Sequence, residues 1–309
     1  MTARTLESSP SILPLYLRAA APMVPGASLL PFVPGRGGEI PQLDLSLAGV
    51  EPRPEPVAAY AKVCGFGLRD HLPPTYPHVL AFPRHMAVMA DGSFPFGAVG
   101  LVHVENRIVQ HRPIRTGEKL SVRVRPTKLE RHPRGRTFGL LTDVRAGDEL
   151  VWESVSTMLR RGSGNQPVDG PKSQVPLDIS AHRQEEGLRP SGEWKLGGDL
   201  GRRYGAVSGD RNPIHMHSLA AKPLGFPRAI AHGMWTKARC LASLEGRLPD
   251  GFAVDVRFRK PILLPARVEF GSASEGEQID FAVRDAKRGT PHLEGQVVPL
   301  ESQAKDGRK

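Results

Sequence analysis

Tyr204-Gly-Ala-Val-Ser-Gly-Asp-Arg-Asn-Pro-Ile-His215 places a carboxylate (Asp210), a carboxamide (Asn212) and an imidazole (His215) within six residues. Gly209 permits a tight turn ahead of the acid, and Pro213 fixes the backbone between Asn212 and His215. A loop built this way can aim an acid and an imidazole into one cavity and hold a water between them. Ile230-Ala-His-Gly-Met234 follows and opens a helical run over Gly233 to Glu245. Taken singly, these residues are ordinary. Asp-Arg-Asn-Pro is an Asx-turn and helix-start signal, and a lone histidine more often packs than catalyses. Ser208, Asp210 and His215 are triad residue types without the G-x-S-x-G elbow. His215-Met-His217 lacks an acidic or thiol partner at metal-ligand spacing, so no metal is expected.

Around this stretch the pattern alternates with period two. Val102 to Ile108, Leu120 to Arg125, Thr137 to Val144 and Leu150 to Leu159 read as strands in the first half. Glu193 to Leu196, Ala253 to Phe258, Arg267 to Ser272, Ile279 to Val283 and His292 to Val298 do so in the second. Helices are expected over Leu13 to Ala21, Tyr76 to Ala90 and Leu200 to Val207. Each half thus holds one main helix followed by antiparallel strands, an α+β unit with a sheet curled around a helix. The chain divides into an extension (1–39), a first unit (40–161), a linker lacking periodicity and apolar residues (162–190) and a second unit (191–309).

Composition removes other classes. The 309 residues include 33 Gly and 30 Pro, about one in five where one in eight is ordinary, which speaks against a helical bundle. No apolar run nears the ~18–20 residues of a membrane span, and prolines interrupt the apolar N-terminus, a poor signal peptide. Cys64 and Cys240 are too few for a disulfide scaffold, so a reducing, cytoplasmic setting is expected. The net charge of +10 is dispersed and aromatics are only 6%, which fits a phosphate-bearing small molecule better than nucleic acid.

The halves also resemble each other. An offset of 144 lays Tyr60, Val63, Gly65 and His71 on Tyr204, Val207, Gly209 and His215, and Leu80, Phe82, Pro83 and Arg84 on Leu224, Phe226, Pro227 and Arg228. Fixed-offset self-similarity marks a duplicated unit. Under this offset Phe66 replaces Asp210 and Leu68 replaces Asn212.

The string Y-x-x-V-S-G-D-x-N-P-I-H, followed by G-F and I-A-H-G-M, closely resembles the hydratase-2 motif of MaoC-like (R)-specific enoyl-CoA hydratases/dehydratases. Pro74 to Pro83 and Gly100 to Ile108 resemble the N-terminal half of two-domain members. The resemblance implies a double hotdog, two helix-wrapped antiparallel sheets in one chain that imitate a homodimer. It implies syn addition of water to a trans-2-enoyl thioester, or the reverse. Asp210 and His215 then form the catalytic pair, Asn212 supports their geometry, and Gly233 donates its N–H to the thioester oxygen. Cofactors are none; the substrate itself carries coenzyme A or, on an acyl carrier protein, phosphopantetheine. Whether the chain also forms a homodimer is left open.

Residues 40–161 are read as a degenerate, non-catalytic hotdog shaping the acyl tunnel. Prolines 77 and 83 are expected to break its central helix, leaving space lined by Val79, Phe82 and Met86. His232, Arg259 and Lys260 complete the expected substrate contacts, the last two near the carrier's phosphates within Arg257-Phe-Arg-Lys-Pro-Ile-Leu-Leu-Pro265, which resembles the family's F-x-x-P segment. Two alternatives stand beside the hydratase: a hotdog thioesterase, and a non-catalytic acyl-thioester-binding subunit.

Overall fold

The computed structural model describes residues 2–20, 38–98, 100–162 and 188–300. The linker expected at 162–190 lies almost wholly outside these, as do residues 21–37 of the extension. Strands β1 (Thr2–Thr5), β2 (Leu43–Val50), β3 (Leu101–Gln110), β4 (Leu120–Pro126), β5 (Glu130–His132), β6 (Gly135–Ala146) and β7 (Glu149–Arg161) belong to the first half. Strands β8 (Arg189–Leu196), β9 (Phe252–Phe258), β10 (Ala266–Glu275), β11 (Gln278–Asp285) and β12 (Pro291–Pro299) belong to the second.

All join one sheet, in the order β1-β2-β4-β6-β7-β3-β9-β12-β11-β10-β8, with β5 folded onto β6. Apart from β1, the order reads the same from either end about the β3–β9 junction. That is the signature of two copies of one unit related by a pseudo-twofold. Every pairing is antiparallel except β1 with β2.

Each half packs a central helix on its sheet: α3 (Tyr76–Met89) in the first and α7 (Gly233–Ser243) in the second. A shorter helix precedes each, α2 (Pro54–Cys64) and α4 (Leu200–Ser208). Both end on a left-handed glycine, Gly65 at φ 84° and Gly209 at φ 78°, a conformation that costs other residues about 1 kcal/mol or more. Tyr60 and Tyr204 are buried against each other across the pseudo-axis, their ring centroids 6.0 Å apart.

Two sequence expectations need correction here. The central helix of the first half is continuous over 14 residues, three more than α7. Pro77 sits in its first turn, where an N–H is unpaired in any case. Pro83 lies inside the helix without ending it, and beside it the Arg84 guanidinium donates to the Leu80 carbonyl. Ala81, Phe82, Met86, Val88 and Met89 of this unbroken helix are all buried.

The repeat is also shorter than the offset of 144 implied. Tyr60, Val63 and Gly65 share the fold position of their partners, but His71 does not. His71 bridges Arg115 and the next amide, Leu72, donates to Ile114; in the second half Ile230 bridges Leu263 and Ala231 donates to Ile262. His71 is therefore the counterpart of Ile230. Between Gly209 and Ile230 the second half holds an insertion with two further one-turn helices, α5 (Pro213–Met216) and α6 (Ser218–Ala221). Leu80 to Arg84 lie in α3, whereas Leu224 to Arg228 lie in this loop.

At the junction of the halves, Lys237 of α7 is fully buried and donates to Asn106 O (3.1 Å), Asn106 Oδ1 (2.6 Å) and Val254 O (3.1 Å). Burial pulls its amine well below the usual lysine range, against the field of nearby Asp255. Asp255 is paired with Arg107 at 2.6 Å across the β3–β9 seam. A buried amine with three acceptors ties the second central helix to strands of both halves.

Candidate active site

The loop after α4 is pressed against that helix, and glycine spacing makes the approach feasible. A Cβ on Gly201 would collide with the His215 carbonyl, and one on Gly205 would lie 2.7 Å from the Asp210 carbonyl. Gly201 and Gly205 thus form a smooth helix face on which the Asp210–His215 loop lies. Within the loop, Asn212 caps α5, its side chain accepting from the Ile214 amide at 3.4 Å. One turn later His215 points inward, and the short helix fixes its direction.

His215 is buried, and its Nδ1 meets the Ile230 carbonyl at 2.8 Å. A carbonyl only accepts, so Nδ1 carries the proton and neutral His215 presents a bare Nε2. By the same reasoning His232 protonates Nε2, which donates to the Asp210 carbonyl at 2.9 Å. The two imidazoles stack with centroids 3.6 Å apart, and the Tyr204 ring packs on His232 at 4.8 Å. Donor atoms of Asp210, His215 and His232 all lie within 4.8 Å of one another.

Burial would raise the Asp210 carboxyl, yet it is held below the usual carboxylate value. His232 and His215 beside it, the Asn212 amide and the Tyr16 hydroxyl outweigh desolvation. Burial drives His215 below its ordinary value against the pull of Asp210, and drives His232 to about 3, helped by His215. The pair at neutral pH is therefore carboxylate and neutral imidazole, both able to accept a proton from a shared water.

This pair opens onto a cavity of about 180 Å³ running between the two halves. Gly233 is on its wall at the first turn of α7, where N–H groups have no helical partner and the helix dipole is positive. A Cβ there would press on the Phe258 ring at 3.0 Å, so glycine keeps this approach open. Asn212 and His232 share the wall, as do Arg259 and Lys260 at the opposite strand end. Arg259 is already paired with Glu294 at 2.6 Å. Arg134 and Arg161 of the first half also reach this cavity and add to its basic character.

From the first half, Phe82 lines the cavity, but Val79 and Met86 do not; both pack into the core. In their place the structure puts His78, His85 and His103, which burial keeps far below their ordinary pKa, His78 at about 4 and His103 at about 3. Sequence reasoning also missed Tyr16, on α1 (Ile12–Ala20), whose hydroxyl donates to Asp210 Oδ1 at 3.0 Å. The partners lie 194 residues apart, and no local pattern announces such a contact.

A sheet-wrapped helix whose N-terminus faces a G-D-x-N-P-x-H loop, in one half of a duplicated unit, defines the MaoC-like dehydratases, and this chain belongs to that family. The MaoC like domain matches residues 181–296, and a FAS1-like dehydratase domain region matches residues 54–142. Among its relatives, 3-hydroxyacyl-thioester dehydratase X of Mycobacterium tuberculosis is 39% identical over 296 residues, covering 95% of this chain and all of the relative. The crystal structure of that bacterium's HtdX superposes with a TM-score of 0.73 at 36% identity, covering 83% of this chain and 100% of the other. A further Mycobacterium tuberculosis protein, described as a double hotdog, shares the fold alone, with a TM-score of 0.53 at 14% identity over 86% of this chain and 96% of its own.

Proposed function

We propose that this chain catalyses the reversible syn hydration of trans-2-enoyl thioesters to (R)-3-hydroxyacyl thioesters, carried on coenzyme A or an acyl carrier protein. The observation that carries the proposal is the convergence of Asp210, His215 and the first N–H of α7 on one cavity. A water between Asp210 Oδ2 and His215 Nε2 donates a hydrogen to each and keeps a lone pair for C3 of the substrate. As the C3–O bond forms, the C2–C3 π electrons move toward the thioester, whose oxygen becomes negative. The Gly233 N–H, aided by the helix dipole, stabilises that charge. The proton taken from the water returns to C2 on the same face, so water adds without net loss and no metal or redox cofactor takes part.

Arg259 and Lys260 sit where the carrier's phosphates would approach, and the acyl group runs toward Phe82 in the first half. Reading the first half as non-catalytic is supported by Phe66 following Gly65 where Asp210 follows Gly209, and by the absence there of the inserted loop. The test follows the ultraviolet absorbance of an enoyl-thioester double bond in parallel with free thiol. Loss of the double bond without thiol release supports hydration. Thiol release would indicate a thioesterase, and binding with neither change would indicate a non-catalytic subunit.

A further inference from the structure

The N-terminal extension is fastened at two points. Strand β1 pairs with β2 in parallel at the sheet edge, and α1 buries Leu15 and Ala19 while Leu13 and Leu17 face solvent. The helix then reaches the catalytic turn, where a Cβ on Gly209 would lie 2.6 Å from Ile12 Cδ1. This brings the Tyr16 hydroxyl between Asp210 Oδ1 (3.0 Å) and the Arg211 amide (2.7 Å). An amide N–H only donates, so the hydroxyl accepts from Arg211 and must direct its own proton to the carboxylate. Oδ1 also accepts from the Asn212 amide at 3.2 Å. Oδ2 receives no hydrogen bond among the described residues; the neutral His232 stands with its Nε2 3.8 Å away and directs that N–H to the Asp210 carbonyl.

We propose that Tyr16, delivered by the N-terminal strap, is a positioning residue for hydration: it occupies Oδ1 and so leaves Oδ2 as the one basic oxygen turned toward the water. The proposal rests on the assignment of Asp210 as the base. It gives the strap a function that neither its position outside the hotdog units nor its composition announces. Tyr16 is not on the cavity wall, so it acts through Asp210 and not on the substrate. The groups around Asp210 and Tyr16 are His232 and His215 of the same half, Tyr204 on α4, His78 and His103 from the first half, and the neighbouring Arg211, whose charge acts on the Tyr16 hydroxyl. All four histidines are held neutral by burial, so at neutral pH none of them duplicates the hydroxyl as a donor to the carboxylate.

The experiment compares wild type, Tyr16→Phe and Leu15→Ala in the full chain, each with a thermal unfolding curve and a pH profile of kcat/KM. Tyr16→Phe removes one hydrogen bond to a charged acceptor and should lower kcat about tenfold, near 1.4 kcal/mol, with KM within about twofold. Its acid limb should move to higher pH, because a carboxylate that loses a donor protonates more easily. Leu15→Ala loosens the strap but keeps the hydroxyl, so its acid limb should stay with the wild type. Wild-type kcat and profile for Tyr16→Phe would overturn the proposal. Equal losses in both variants with an unmoved acid limb would also overturn it, showing mere docking of the helix. If the wild type hydrates no enoyl thioester, the assignment of Asp210 fails first, and the two failures are distinguishable.

Discussion

Asp210→Asn tests the proposed base with little change of shape. The amide oxygen can take the place of Oδ1 and keep the hydrogen bonds from Tyr16 (3.0 Å) and Asn212 (3.2 Å), so the turn should survive. What changes is the atom at Oδ2. An NH₂ there donates where a carboxylate accepts, and the water loses one of its two acceptors while His215 Nε2 remains. Removing a general base costs about 10²- to 10⁴-fold, which corresponds to about 3–5 kcal/mol of transition-state stabilisation. The same substitution removes the negative field that supports protonation of His215, so its imidazole becomes a weaker base as well. The expected result is a kcat reduced by at least two orders of magnitude, a KM changed far less, and an unfolding midpoint close to that of the wild type. Progress is followed as the absorbance of the conjugated thioester. Turnover near the wild-type value in a folded Asp210→Asn protein would remove Asp210 from the mechanism.

Three further outcomes are expected. His215→Ala should nearly abolish hydration while His71→Ala changes it less than about twofold, since His71 lies outside the cavity at a β-bridge; comparable losses in steady-state assays would mean two active sites. Lys237→Met should destabilise the protein by about 2–4 kcal/mol, because it leaves Asn106 Oδ1 and two strand carbonyls without their buried donor; urea denaturation giving an unchanged midpoint would contradict this. Stability should decline as pH falls below about 6.5, because His78, His85, His103, His215 and His232 have depressed folded pKa values and the unfolded chain takes up protons first. Each histidine then costs at most about 1.4 kcal/mol for every pH step of one between its unfolded and folded values, and a midpoint independent of pH between about 7 and about 4.5 would show that these histidines are not buried neutral.

The strands are the most legible part of the fold. The stretches Leu120 to Arg125 and Thr137 to Val144 fall within β4 and β6; β4 buries every second residue, Leu120, Val122 and Val124, and β6 does so from Leu140 through Thr142 to Val144. β2 carries the same alternation, Leu43, Leu45 and Leu47 against Asp44 and Ser46, and is a strand signal that sequence reasoning missed. Asp44 is tolerated there because Arg123 on the neighbouring strand neutralises it. For α3, local rules alone overweigh Pro83, because the sheet wrapped around the helix supplies more than one lost hydrogen bond removes. At the site, Asp210, Asn212 and His215 are readable because one turn and one short helix orient all three. The Gly201-Gly205 spacing, four residues apart on one helix face, is a further signal that sequence reasoning missed. Tyr16, His78 and His103 have no such local cue. They reach the cavity region through tertiary packing, which composition and periodicity do not encode.

Two identical chains paired about a true twofold experience every substitution twice, once in each copy. Here the symmetric order of strands is carried on a single chain, so each copy is free to drift on its own. The loop between Gly209 and Ile230 could lengthen in one copy while the matching stretch from Gly65 to His71 stayed brief. Covalent joining thus frees the first half to shape the wall of the cavity opposite Asp210 and His215. In this protein that wall mixes the imidazoles of His78, His85 and His103 with apolar side chains such as Phe82, Met89 and Leu140, and it can change without altering the loop that carries Asp210 and His215.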